Sequence, residues 1–268
     1  MKLALFKEDS VDSSSAVIDC PLCLSEVPYT RKPEPRSSTV YGYGLDFRIV
    51  PRDCNLSVEL ATCPNCLFTS RVDDFRRRVP GHVQELIRSR EYVKMFRSSE
   101  DETSSARSWL AHLAILEARG LNPRDLAVIS LKGSWVAREL ESPATESELL
   151  TAADGFLDDA LRRGLTKGDP GMVMYLLGEI NRRRGENLRA REMLTFLGNN
   201  PRYRYPALLL TVLVEEEDVT PYWSRHAPDQ MEQHSSRFKG LFPSLRSIPP
   251  GKTEFFPREL SEPSEQPD

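Results

Sequence analysis

The chain has 268 residues, room for one large or two small domains, and its 36 Lys and Arg against 40 Asp and Glu give a formal net charge of −4. That balance carries no global sign of nucleic-acid binding, and 39% hydrophobic content with 20 prolines points to substantial sequence outside any core. No apolar run approaches the ~20 residues of a membrane span, so no membrane association is expected.

Met1 to Lys7 places only four apolar residues between its two lysines, too few for a signal peptide, which leaves the reducing cytoplasm as the expected compartment. Paired cysteines there bind metal more often than they form structural disulfides. Residues 7–18 are acidic and serine-rich, so 1–17 reads as a disordered N-terminus. Cys20-Pro-Leu-Cys23 comes next, and Cys63-Pro-Asn-Cys66 follows after 39 intervening residues. Two residues between cysteines let both sulfurs of a tight turn face one point. Two such turns present four thiolates to a tetrahedral Zn2+, with Zn–S near ~2.3 Å. The predicted site is therefore a structural zinc held by Cys20, Cys23, Cys63 and Cys66 in a zinc ribbon over residues 18–72. Two unrelated pairs of free cysteines are the bland alternative, set against four of the five cysteines falling into matched pairs. A thiol–disulfide motif is the other, set against two copies and no βαβ pattern. Cys54 is the odd cysteine. It reads as a free thiol near the ribbon, because four ligands already close a structural site.

Between the two turns, a polar loop from Thr30 to Ser38 gives way to an alternation. Tyr41, Tyr43, Leu45, Phe47 and Ile49 interleave with Gly42, Gly44, Asp46 and Arg48, the period of one half-buried strand that Pro51 stops. Val58 and Leu60 lead a second strand into Cys63, and Leu67-Phe68 opens a third. From Val83 the period becomes helical. Val83, Leu86, Ile87, Val93 and Phe96 make one face, entered through Pro80-Gly81. Ser104 or Ser105 caps the next helix, which turns Trp109, Leu110, Leu113 and Leu116 inward and ends at Gly120. Asn122 is an N-cap, with Pro123 at the first helical position and Asp125 in the first turn. Leu126, Ile129, Gly133, Val136 and Leu140 form the stripe behind it. Thr145-x-x-Glu148 reads as a capping box for a helix closed by Gly164. Asp169-Pro170 opens the next, where Leu177-Gly178, Gly185, Ala190, Leu194 and Leu197 are spaced like a tetratricopeptide hairpin, with Pro201 beyond and Asn181 in place of the mid-helix aromatic. Residues 73–226 are thus expected to be a tetratricopeptide-like helical domain, with a generic helical bundle as the alternative. Residues 227–268 read as a flexible tail rich in Pro, Ser and acidic residues; Phe255-Phe256 lies inside it.

No zinc-protease pattern, nucleophile motif, phosphate loop or Gly-x-Gly-x-x-Gly occurs, and the chain is not expected to be an enzyme; no catalytic residue is assigned. His112, on a helix beside Leu113, reads as structural. Residues 71–97 carry Arg71, Arg76, Arg77, Arg78, Arg88, Arg90, Lys94 and Arg97 against Asp73, Asp74, Glu85 and Glu91. Arg182-Arg183-Arg184 with Arg189 and Arg191 makes a second cluster, read as the solvated face of a repeat. Neither has the interleaved aromatics of a single-strand binder.

The order Cys20-Pro-Leu-Cys23, the Arg52–Cys54 turn, Cys63-Pro-Asn-Cys66-Leu-Phe68 and Tyr175-Leu-Leu-Gly-Glu-Ile-Asn-Arg-Arg-Arg-Gly-Glu186 resembles a bacterial family known as domain of unknown function 2225. The resemblance spans roughly residues 18–225. Many ribbons have a glycine after the second cysteine of each turn, where this chain has Leu24 and Leu67. The family implies a ribbon followed by helices and brings no established activity. The expected architecture is α+β, mainly α: a small N-terminal β zinc ribbon, then tetratricopeptide-like antiparallel helical hairpins. The expected role is a zinc-stabilised scaffold that binds an unidentified protein or peptide through its helical domain. Nucleic-acid binding through the ribbon and Arg76–Arg78 is the alternative, followed by a thiol redox sensor with Cys54 as resolving thiol.

Overall fold

A hairpin of strands leads into and out of each Cys-Pro-x-Cys turn. The computed structural model describes residues 15–31, 40–46, 48–51, 59–96 and 104–221. Strand β1 (Ser15–Asp19) pairs antiparallel with β2 (Glu26–Thr30), Ile18 opposite Val27, and the first turn joins them. Strand β5 (Leu60–Thr62) pairs likewise with β6 (Thr69–Arg71), and the second turn joins those. Strand β1 takes in Ser15, Ala16 and Val17, which the acidic, serine-rich composition had grouped with the N-terminal segment. The third strand begins at Thr69 rather than Leu67, because Leu67 is taken up by the turn. Cys54, Phe255 and Phe256 lie outside the described residues.

The alternation from Tyr41 to Ile49 is a hairpin rather than one strand. Strand β3 (Val40–Tyr43) turns back on β4 (Ile49–Pro51). Gly44 N–H donates to Arg48 O at 2.8 Å, and Arg48 N–H donates to Asp46 Oδ1 at 3.3 Å. A Cβ at residue 44 would collide with Asp46 Oδ1, so a side chain there would require that carboxylate to move. Asp46 and Arg48, the polar half of the alternation, are both buried.

Eight α-helices follow among the described residues, so the architecture is α+β and mainly α. The face predicted over Val83–Phe96 is split into α1 (Gly81–Arg88) and α2 (Arg90–Met95). Between them Ser89 is extended, and its Oγ caps α2 by accepting Tyr92 N–H. Next come α3 (Ser104–Ala118) and α4 (Pro123–Glu139), the latter capped as predicted by Asn122, whose Oδ1 accepts Asp125 N–H at 3.1 Å. Helix α5 (Pro143–Arg162) starts before the predicted capping box. Pro143 takes the first helical position and Thr145 is buried in the first turn instead of capping it. Helix α6 (Pro170–Arg183) is capped by Asp169, and α7 (Asn187–Thr195) and α8 (Arg204–Glu215) complete the series. Helix α8 went unread in the sequence, because its nearly unbroken apolar run from Pro206 to Val214 leaves only Thr211 to mark an outer face.

The chain divides into two compact units, and the division does not fall where strands give way to helices. The first unit takes Met1–Ser38 and Asp53–Arg119. Here α1, α2 and α3 share one core with the two cysteine hairpins: Val27, Ala61, Phe68, Phe75, Val83, Ile87, Tyr92 and Ile115 are buried together, with Phe68 and Phe75 edge to face at 4.9 Å. His112 sits inside this unit, and its burial pushes the imidazole pKa down to about 4, so it is neutral at pH 7. The second unit takes Thr39–Arg52 and everything from Gly120 on, so the β3–β4 hairpin belongs with α4 to α8. Arg138 on α4 ties it in, donating to Asp46 Oδ2 at 2.9 Å and to Glu146 Oε1 of α5 at 2.8 Å. Burial alone would favour a neutral Asp46, but Arg138 and Arg183 outweigh it and hold the carboxyl below its usual pKa.

A four-cysteine candidate metal centre

Each Cys-Pro-x-Cys turn is fixed by the same two backbone hydrogen bonds. Leu24 N–H donates to Cys20 O at 3.0 Å and Cys20 N–H to Ser25 O at 2.9 Å. Leu67 N–H donates to Cys63 O at 3.0 Å and Cys63 N–H to Phe68 O at 2.9 Å. Closing such a loop puts the residue after the second cysteine in the left-handed region, and Leu24 and Leu67 have φ of 60° and 64°. The usual glycine is absent, yet the turn geometry is kept, at a strain of order 1 kcal/mol per leucine.

The two turns face each other and bring the four sulfurs together, all within 4.8 Å of one another. Cys20 Sγ lies 3.5 Å from Cys66 Sγ, and Cys23 Sγ lies 3.5 Å from Cys63 Sγ. A tetrahedron with metal–sulfur bonds of ~2.3 Å has edges of ~3.8 Å, so the donor set fits one tetrahedral ion. Cys20 and Cys63 are fully buried; Cys23 and Cys66 are partly exposed. The four predicted ligands therefore meet at one point, and the set can hold a metal ion.

The electrostatics of the thiols favour the same occupant. Burial pushes the Cys20 and Cys66 thiols up, more strongly at Cys66, where the neighbouring cysteines add to it. At Cys23 burial opposes ionisation too, but hydrogen bonds from Ser25 prevail and lower the pKa to about 6. Ser25 Oγ is 3.4 Å from Cys23 Sγ and also accepts from Asn65 Nδ2 at 3.2 Å, bridging one turn to the other. Four thiolates this close repel one another unless a cation lies between them, and a dication allows all four to ionise. Sequence reading missed the supporting residues Ser25, Asn65 and Tyr92. Tyr92 is buried on α2 and its hydroxyl donates to Leu67 O at 2.8 Å, pinning the second turn from outside. Ser25 and Asn65 lie beside the cysteines and were open to inspection; the reach of Tyr92, 25 residues away, was not.

A family model described as an uncharacterized protein conserved in bacteria (DUF2225) matches residues 14–216. The chain belongs to this family. In this member the DUF2225 match runs from just before β1 to just past α8, so it takes in both cysteine turns and every described helix. No curated protein and no solved structure matches the chain.

The two arginine clusters have opposite fates. Arg76, Arg77 and Arg78 are exposed in the same unit as the cysteines. Arg182–Arg184, expected on a solvated face, turns inward. Arg182 is fully buried and holds both carboxylate oxygens of Glu179, at 2.7 and 2.8 Å. Arg183 donates to Glu146 Oε1 at 2.7 Å, and Arg184 reaches Asp154 at 3.3 Å. Asn181, in the place of a repeat aromatic, is buried and donates from Nδ2 to Asp154 Oδ1 of α5 at 2.7 Å. A polar seam thus joins α5 to α6 where an aromatic was missing. Among the described residues, no helix is long and apolar enough to cross a membrane.

Proposed function

We propose that this protein is a zinc-stabilised protein–protein interaction scaffold working in the reducing cytoplasm. Zn2+ is held by Cys20, Cys23, Cys63 and Cys66, and the ion supplies a closed structural centre rather than chemistry. The observation that carries the reading is the convergence of four sulfurs from two identically hydrogen-bonded turns. The helical unit supplies the binding surface. Its α6–α7 hairpin brings Gly178 against Leu194 and buries Ala190, the small-residue contact of a tetratricopeptide-like pair, and stacked pairs of that kind suit an extended peptide or a helix. The protein acts by binding, not catalysis.

Elemental analysis of protein purified without added metal tests the centre. One zinc per chain is expected, and Cys54→Ser should leave that ratio unchanged. A ratio near zero, or full retention in a Cys20→Ala, Cys63→Ala double variant, would remove the reading.

The exposure of Arg76, Arg77 and Arg78 beside the ribbon supports nucleic-acid binding as a second reading. Affinity for DNA or RNA at physiological salt is expected to be no tighter than roughly micromolar, the ordinary non-specific range, and to weaken when the three arginines become alanine. A nanomolar complex that survives such salt would put this reading first.

A further inference from the structure

The two cysteine turns repeat each other in backbone but not in side chains. At the residue whose carbonyl closes the turn, the first has Ser25 and the second Phe68. Between the proline and the second cysteine, the first has Leu22 and the second Asn65. Leu22 packs against the apolar core of the unit, and Phe68 is fully buried in it. Ser25 and Asn65 take no such part. They meet across the gap between the turns, 40 residues apart in the chain, with Asn65 Nδ2 donating to Ser25 Oγ at 3.2 Å. That bond occupies a lone pair of the hydroxyl and leaves its proton free for Cys23 Sγ, 3.4 Å away. Donation thus runs in one direction, from the Asn65 amide to the Ser25 hydroxyl to the sulfur, and each bond polarises the next.

The sulfur at the end of this relay is one of the two that solvent reaches. Cys20 and Cys63 are fully buried, whereas Cys23 and Cys66 are half-buried. At Cys66 the place equivalent to Ser25 belongs to Phe68, which offers no hydroxyl. The second turn is anchored instead through Leu67 O, which accepts from Tyr92 Oη at 2.8 Å and from Thr69 Oγ1 at 3.0 Å. Those bonds hold backbone, whereas the Ser25 bond acts on a ligand atom. Four thiolates around a dication leave negative charge in excess, and a donor beside one sulfur draws charge from it. A thiolate is also the nucleophilic form of cysteine, so a ligand within reach of solvent is open to electrophiles.

We propose that Ser25, oriented by Asn65, is a positioning residue of the metal centre that guards Cys23. Its hydroxyl withdraws charge from that exposed ligand, tightening the site and lowering the reactivity of the sulfur. Cys66, also half-exposed but without a hydroxyl, is the vulnerable ligand. The inference rests on the metal centre proposed above and deepens it by making its two exposed ligands unequal.

Full-length protein loaded with Co2+ provides the test, because the thiolate-to-cobalt charge-transfer band reports the charge on sulfur. Ser25→Ala should move this band to lower energy and weaken metal retention against a chelator by roughly tenfold. Ser25→Thr should keep both near native, and Asn65→Ala should move the band in the same direction by less, since the hydroxyl remains. The zinc-loaded native chain, treated with N-ethylmaleimide and mapped by mass spectrometry, should be modified at Cys66 before the other three ligands. In Ser25→Ala, Cys23 should react at least as fast as Cys66. An unmoved band with an unchanged order of modification in Ser25→Ala overturns the proposal, and so does a native chain modified first at Cys23. A native chain with no thiolate-to-cobalt band would remove the metal centre itself, and this proposal with it.

Discussion

Stripping the metal with a chelator is expected to unfold the first unit and to leave α4 to α8 helical. Structural zinc sites contribute roughly 10–16 kcal/mol of apparent binding free energy at neutral pH, as much as or more than the whole net stability of a typical domain, about 5–15 kcal/mol. Strands of three to five residues in two-stranded sheets cannot hold their own shape. Cys20 and Cys63 lie in the same buried cluster as Val27, Phe68 and Phe75, so thiols left without an ion lose their common anchor inside the core. Hydrogen exchange gives the measurement by region: amides of β5, β6 and α1 to α3 should lose protection, and those of α4 to α8 should keep it. The Cys20→Ala, Cys63→Ala variant should behave as the chelated protein does. Retained protection around Tyr92 after the metal is gone would show that the apolar core alone sustains this unit.

Gly178→Leu is expected to lower the melting temperature by several degrees with zinc content unchanged. A Cβ at residue 178 would lie 2.6 Å from Leu194 Cδ2 and 2.8 Å from its Cγ, closer than carbon atoms approach without displacement. Leu194 is 2% exposed and has nowhere to retreat, so even alanine is tight and leucine more so. Overpacking of this kind costs roughly 1–3 kcal/mol or more. Replacing a helix-interior glycine returns several tenths of a kcal/mol through propensity, which is too little to change the sign. A melting point that stays level or rises would mean that α6 and α7 are not held by this contact, and the binding surface inferred from their pairing would fall with it.

Local chemistry made much of this legible. Cysteine spacing led to the four ligands, and side-chain caps at Asn122 and Asp169 placed the starts of α4 and α6. Reading failed where a polar residue's fate depends on a partner far away in the chain. Asp46 and Arg48 look like the wet side of a strand until Arg138 and Glu139 arrive to pair with them. Arg182, even with Glu179 one turn before it, looks like a surface charge until the distant carbonyls of Asp218 and Thr220 enclose it. A buried ion pair carries no periodic signature, because each partner has the composition of a solvated residue. The missed breaks were local but subtle: Ser89 splits a face whose apolar spacing runs on through it, and Gly44 reverses a strand whose alternation does not falter.

The interleaving of the two units sets an order in which they become available during synthesis. Cys63 follows Cys23 by 40 residues, whereas Arg138 follows Asp46 by 92. At roughly 5–20 residues per second of translation, the second cysteine turn emerges about 2–8 s after the first, and the partner of Asp46 only about 5–18 s after Asp46 itself. Both cysteine turns are therefore outside the ribosome while the hairpin between them still waits for α4. During that interval Asp46 and Arg48 are without Arg138 and Glu139, and water solvates a carboxylate and a guanidinium far better than leucine or valine side chains at the same positions. The polar residues that obscured this hairpin in the sequence are also the ones that water solvates at little cost until α4 is made.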